Sequence, residues 1–363
     1  MQGHNDWRLK AEIPLPQRRD YPIAIVGAGG IVNDAHLPAY RKAGFHVIGI
    51  YDVQAERAAQ TARRFGIPTV YDSLDELLSG PAAIVDVAVP AHENLAIARR
   101  VAAASKALLL QKPLSEDLAS AQAIANIVEE AGIVAAVNQQ ARWMPAAIAI
   151  RDLLRRELLG EVYQVSFLIN VETPWRLWPW IVAGERVEVM YHSIHYLDTI
   201  RSLLGKEPRL VFADGMTVPG YPTNAETRTV IQLIFHGNLR ATITDNHHNI
   251  GGLDDQYATL RVEGTEGSAV AELGLLKNYP AGIPDQFRYM SQRLQPGTWI
   301  TPHLEGSWFP DAFIGTMGSV MRALEGQESA PETSVRDNLN TLRLVLAAYA
   351  SMKGNQLVDP AAL

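Results

Sequence analysis

The chain has 363 residues, 47% of them hydrophobic and 20% charged, a composition that suits two soluble globular domains. Its net charge of −7 argues against a nucleic-acid partner, which calls for a basic stripe. The absence of cysteine excludes disulfides, thiolate catalysis and cysteine-held zinc, and it matches a reducing, cytoplasmic setting.

Residues 1–20 are polar, carry Pro14 and Pro16, and lack the apolar core of a secretory signal. They read as a tail, or as an arm that packs on a neighbouring subunit through Trp7, Leu9, Ile13 and Leu15. No apolar run in the chain is long enough to span a bilayer. From Tyr21 the pattern alternates. Tyr21–Val26 is a short apolar strand running into Gly27-Ala28-Gly29-Gly30, and a helix follows through Ala43. Phe45–Tyr51 is a second strand ending at Asp52, with a helix over Ala55–Phe65. Thr69–Tyr71, Ala83–Val89, Ala107–Leu110 and Ile133–Val137 are further strands. Helices at Leu74–Leu78, Glu93–Ala104 and Leu118–Ala131 separate them. Continuous apolar strands alternating with helices predict a doubly wound parallel sheet over residues 21–137.

The period then changes. Pro145–Leu159 reads as a helix stopped by Gly160. Val162–Val171, Thr229–Phe235, Leu239–Thr244 and Tyr257–Glu263 alternate like half-exposed strands, and turn residues such as His236-Gly237-Asn238 separate them. Asn338–Met352 is a closing amphipathic helix. Residues 138–363 are therefore expected to form an α+β domain on a large, open, mainly antiparallel sheet. One face of that sheet needs cover, which predicts a homodimer or homotetramer.

Gly27-Ala28-Gly29 lies between a strand and a helix. The first glycine permits the tight turn, and the second lets backbone approach a pyrophosphate. The helix start, Gly30, Ile31 and Val32, then offers N–H groups and a positive dipole end. Val32 stands where a third small residue is expected. Asp52, one helix and one strand further on, suits the adenosine ribose and repels a 2′-phosphate, so NAD is favoured over NADP. No arginine follows Asp52 directly, and Arg57 lies a helical turn beyond. By itself the glycine string also fits a turn with no ligand.

Two later stretches stand out: Leu110-Gln111-Lys112-Pro113-Leu114 at a strand end, and Tyr191-His192-Ser193-Ile194-His195-Tyr196-Leu197-Asp198, which reads as a helix start. With VGAGGIVNDAHLPAY (26–40), QKPLS (111–115), NQQARWMPA (138–146) and SIHYLDTIRSLLG (193–205), the chain resembles the glucose–fructose oxidoreductase and inositol dehydrogenase family (Gfo/Idh/MocA) over nearly all of 21–363. The resemblance implies a nicotinamide cofactor, substrates that are sugars, polyols or their derivatives, and an open sheet used for oligomerisation. The family pattern is Glu-Lys-Pro, where this chain has Gln111. It also carries an aspartate four residues before the histidine, where this chain has Tyr191.

These matches give the residues expected roles. Lys112, at a strand's carboxyl end, would meet the reacting oxygen and the nicotinamide, and His195 would carry the hydroxyl proton. Tyr191 shares the helical face of His195 and hydrogen-bonds or relays without supplying charge. Pro90 and His92 stand where family members line the nicotinamide pocket. Arg142, Trp175, Arg176 and His192 are candidates for the substrate side. The Trp175, Arg176, Trp178, Trp180 cluster suits sugar stacking, and equally a loop packed on the sheet or on a neighbouring subunit. His192 with His195, and His247 with His248, lack a carboxylate set at ligand spacing, so no metal is expected. The leading expectation is an NAD-dependent dehydrogenase of a sugar, sugar acid or cyclic polyol. Two alternatives stand beside it: a glycoside-cleaving or epimerising enzyme that uses NAD without net redox, and a non-catalytic NAD-binding sensor.

Overall fold

The computed structural model describes residues 9–218, 223, 225–274 and 277–363, the side chain of Arg176 excepted. The chain divides into two compact units. One comprises Pro14–Gln140 with Phe309–Leu342. The other comprises residues 9–13, Ala141–Trp308 and Arg343–Leu363.

The first unit is built on β1 (Ile23–Val26), α1 (Leu37–Ala43), β2 (Val47–Tyr51), α2 (Ala55–Phe65), β3 (Thr69–Val70), α3 (Leu74–Ser79), β4 (Ile84–Val87), α4 (Asn94–Ala103), β5 (Ala107–Leu110), α5 (Leu118–Glu130) and β6 (Ala135–Val137). The six strands pair in parallel in the order β3-β2-β1-β4-β5-β6, the doubly wound arrangement expected from the alternating pattern. The apolar runs of β1, β4 and β5 are buried along their whole length, because helices cover both faces of such a sheet. The strand order reverses between β1 and β4, so the ligand crevice of this fold class opens at their carboxyl ends.

In the second unit, α6 (Pro145–Arg155) leads into β7 (Val162–Asn170), α7 (Pro179–Val182) and α8 (Ile194–Leu204). β8 (Leu210–Met216), β9 (Arg228–Ile234), β10 (Arg240–Asn246), β11 (Tyr257–Gly264), β12 (Gly267–Glu272), β13 (Gln286–Ser291) and β14 (Trp299–Ile300) follow. The eight strands run β14-β13-β12-β11-β7-β10-β9-β8, antiparallel except for the β10–β7 pair. Burial alternates residue by residue in β9 and β10, as a sheet with one covered face requires. The covered face meets α8 through Phe167 and Tyr196 (ring centroids 4.9 Å apart). It also meets the end of α10 (Val335–Gly354), where Ser351 Oγ accepts from Ala213 N–H at 2.9 Å.

The observed division departs from a boundary at residue 138. Phe309–Leu342 belongs with the parallel sheet, because α9 (Ala312–Leu324) packs on β5 and β6 and against α1. Residues 9–20 bind their own chain. Lys10 N–H donates to Asp152 at 3.2 Å, and Gln17 and Arg18 N–H groups donate to Glu325 at 3.1 and 2.7 Å. The described part of the segment is therefore held down and is not a loose tail. Trp7 lies outside the described residues. No helix among the described residues is long and apolar enough to cross a membrane.

Candidate active site

The first half of the candidate site gathers at the carboxyl ends of the parallel strands. Gly27 follows β1 with φ +102°, and a Cβ there would stand 2.4 Å from the Ala88 carbonyl oxygen beyond β4, so only glycine fits. A Cβ on Gly29 would meet nothing within 4 Å. Packing within the protein therefore does not require glycine at 29, whereas a phosphate approaching the backbone does. Asn33 pins the turn by donating to the Ala28 and Gly29 carbonyls, at 3.1 Å each. The segment after the turn is a π-type turn, Val32–His36, continued by α1. Gly30 is exposed, Ile31 half-buried and Val32 fully buried. Asp52 is held at the end of β2, where its two oxygens accept the Ala28 and Gln54 N–H groups at 2.8 Å each. The Arg57 guanidinium comes within 4.0 Å of the same carboxylate. A glycine turn, a helix start and a fixed acid at the switch point fit an adenine dinucleotide.

Behind the turn, His36 and Asp86 form a fully buried pair at 2.7 Å. Tyr40 donates to the same Asp86 oxygen at 2.8 Å, and Asn138 Nδ2 meets His36 Nε2 at 3.2 Å. The imidazole that accepts from Asn138 carries its proton on Nδ1, facing Asp86. This network, which the sequence reading missed, ties the turn that bears the cradle to β4 and to the end of β6.

Lys112 follows β5 and is half-buried. Desolvation pulls its ammonium pKa down to about 7. Its loop is held from two sides. Gln111 Oε1 accepts the Lys112 N–H at 3.0 Å, and the buried Asn94 donates to the Pro113 and Leu114 carbonyls at 3.2 and 3.1 Å. Asn94 was also missed; its signal was an amide at a helix start directly after a buried strand. Pro90 is half-buried, whereas the His92 side chain is 65% exposed beside Glu93, turned to solvent.

The second unit carries the other candidates. A π-type turn, Val189–Ser193, precedes α8, so Tyr191 and His192 sit on a local widening of the helix that goes on to bear His195. Tyr191 and His195 are both buried, with Trp180 edge-on to Tyr191 at 5.5 Å and Trp308 edge-on to His195 at 5.7 Å. His192 is half-buried. Its ring lies 4.0 Å from that of His247, with Trp175 edge-on at 5.0 Å. Trp175 is only 3% exposed and donates Nε1–H to the His247 carbonyl at 3.1 Å. Its indole thus braces His192, and of the two alternatives for this cluster the packed loop describes Trp175. The side chain of Arg176 lies outside the description. The Arg142 guanidinium is gripped by Asp198 through two bonds of 2.7 Å, both groups buried. That fork fastens Arg142 to α8.

Lys112 thus belongs to the first unit and His195 to the second. Within the second unit the fold joins Glu188, Asp245 and His247, whose ligand-type atoms lie within 4.8 Å of one another. Ser193 and Thr229 already donate to both Glu188 oxygens, at 2.6–3.0 Å. All three are buried, and Asp245 Oδ1 lies 3.1 Å from His247 Nε2.

Comparison with known proteins supplies the family. Residues 21–139 match the family model described as an oxidoreductase family with an NAD-binding Rossmann fold, and residues 148–270 match the C-terminal domain model of the same Gfo/Idh/MocA family. The chain is similar to a D-apiose dehydrogenase of Paraburkholderia graminis, with 28% identity over 93% of this chain and 88% of that protein. Among solved structures, its fold is similar to an oxidoreductase from Agrobacterium radiobacter in complex with NAD+, L-tartaric acid and magnesium. There the TM-score is 0.82 at 22% identity, over 94% of this chain and 99% of that one. An aldose-aldose oxidoreductase from Caulobacter crescentus complexed with glycerol matches with a TM-score of 0.77 at 21% identity, over 94% and 100%. The parallel sheet with its glycine turn, the large mainly antiparallel sheet and these matches agree: the chain belongs to the Gfo/Idh/MocA family of NAD-binding oxidoreductases.

Proposed function

We propose that this protein oxidises a secondary hydroxyl of a sugar, sugar acid or cyclic polyol with NAD, and that Lys112 and His195 serve the reacting oxygen. The observation that carries the reading is Lys112: a lysine at the carboxyl end of a central parallel strand, with its pKa drawn to about 7. A lysine poised there is neutral often enough to accept a hydroxyl proton and charged often enough to steady an alkoxide. NAD, when bound, accepts the hydride. The cradle of Gly27, Gly29, Gly30, Ile31 and Val32 binds the diphosphate, and Asp52 accepts from the adenosine ribose while repelling a 2′-phosphate. Pro90 borders the nicotinamide side. His195 passes the proton onward, with Tyr191 beside it in the same turn-and-helix segment. His192, braced by Trp175 and His247, presents its half-buried edge for a substrate hydroxyl. The relative named for D-apiose, and the solved structures bearing tartaric acid and glycerol, support a polyhydroxylated substrate.

The test is a panel of apiose and other aldoses, inositols and sugar acids, with NADH formation followed by absorbance. The reading expects steady NADH accumulation with one class. Product formation without NADH accumulation would favour glycoside cleavage or epimerisation, and NAD binding without turnover would favour a sensor. We propose further that two copies assemble through the open face of the eight-stranded sheet. Leu168, Val230 and Tyr257 stand 44%, 50% and 39% exposed there.

A further inference from the structure

Glu188 and Asp245 are fully buried, with carboxylate oxygens within 4.8 Å of each other. Glu188 immediately precedes the π-type turn. Its carboxyl accepts Ser193 N–H at 3.0 Å and Ser193 O–H at 2.7 Å, so it closes the turn around Tyr191 and His192. Thr229 of β9 donates to its other oxygen at 2.6 Å. Asp245 of β10 has one oxygen 3.1 Å from Ser193 Oγ and the other 3.1 Å from His247 Nε2. Ser193 has one hydroxyl proton for two carboxyls. Two anions side by side in a dry interior cost far more than one anion hydrogen-bonded to one acid.

We propose that Glu188 and Asp245 hold a single proton between them, and so act as positioning residues that keep the turn bearing Tyr191 and His192, and the start of α8 at His195, in one arrangement until that proton is lost. The surroundings support this. His247 Nε2 faces Asp245 Oδ1 at 3.1 Å. Tyr196 of α8, Glu226 and Tyr349 of α10 also lie close to the pair, none of them a cation, and the His192 ring lies 4.0 Å from that of His247. Burial first, and mutual repulsion second, push Glu188 well above the carboxylate range, and burial pushes Asp245 up to about 6. The two titrate as a pair. Because the folded-state values are raised, the pair stabilises the fold at low pH. That contribution is lost as pH rises through the folded-state values, from about 6 for the first proton to well above it for the second.

Glu188→Gln and Asp245→Asn each replace the shared proton with a permanent amide N–H, while Ser193→Ala removes a hydrogen bond and leaves the pair intact. Infrared difference spectra at neutral pH should show a protonated-carboxyl band in the wild type and in Ser193→Ala that both amide variants lose. Unfolding midpoints should fall with rising alkaline pH in the wild type and run flatter in the amide variants. No such band, parallel midpoint curves, or one divalent ion per chain in the purified protein would each overturn the shared proton. These arms are independent of the proposed reaction. The positioning role rests on that reading and is tested on a substrate from the panel. The alkaline limb of kcat/KM should vanish or move by at least one pH unit in the amide variants, and a limb that stays fixed while the infrared band is lost overturns it.

Discussion

Lys112 and Gln111 show how one residue sets the chemistry of its neighbour. Where the family pattern places a glutamate, Gln111 binds the Lys112 N–H with an uncharged oxygen and adds no negative charge of its own. With the pKa near 7, oxidation of an alcohol should rise as pH climbs through 7, because the neutral amine is the proton acceptor. Reduction of the matching ketone should fall over the same range. Gln111→Glu should move that limb upward by roughly one unit, since a nearby negative charge favours the ammonium. Measuring kcat/KM against pH for both directions checks the sign, and an unmoved limb would dissociate it from Lys112. Asp52 offers a second residue-scale test. Asp52→Asn keeps an acceptor for the Ala28 N–H but removes the charge, and it leaves Arg57 close by. Calorimetry should show the preference for NAD over NADP narrowed or reversed. Stronger NADP binding by the wild type would contradict the assignment.

At the scale of elements, α8 is fixed by a bidentate ion pair that the sequence concealed. Arg142 and Asp198 lie 56 positions apart, and nothing in their local patterns marks them as partners. Removing one member of so buried a pair strands the other's charge. Asp198→Asn should therefore cost about 3–5 kcal/mol of stability, measured by denaturant unfolding, with Arg142→Met costing less than Arg142→Ala. A loss under about 1 kcal/mol would mean that the pair is better hydrated than its burial implies.

The parallel sheet was legible because each of its strands is a short apolar run punctuated by glycine or a helix cap. The alternation with helices makes the sheet parallel, whereas the order β3-β2-β1-β4-β5-β6 appears only in the structure. The Lys112 loop and the glycine cradle were legible for the same reason, since each follows directly on a strand. Other features were not, β8 among them. β12 and β13 lie in a stretch where glycines and loops break the alternation. α9 is buried nearly all round, so no amphipathic period marks it, and it joins a sheet formed far earlier in the chain. The π-type turn before α8 arises from Glu188 and its partners in β9 and β10, which only folding brings to it.

For the whole molecule, the open face of the eight-stranded sheet alternates Thr, Gln, Arg and Ser with Leu168, Val230 and Tyr257, a mixture suited to self-association. Light scattering at micromolar concentration should give a dimer or tetramer, and Val230→Lys with Leu168→Lys should shift it toward monomer. A wild-type monomer would refute the assembly. The central claim is that Lys112 acts on the reacting oxygen, and single-turnover NADH formation tests it most directly, comparing wild type and Lys112→Ala on a substrate that the panel has identified. The account predicts a loss of about 10²–10⁴-fold in the rate of NADH formation, with NAD affinity changed far less. Wild-type rates in Lys112→Ala would contradict it.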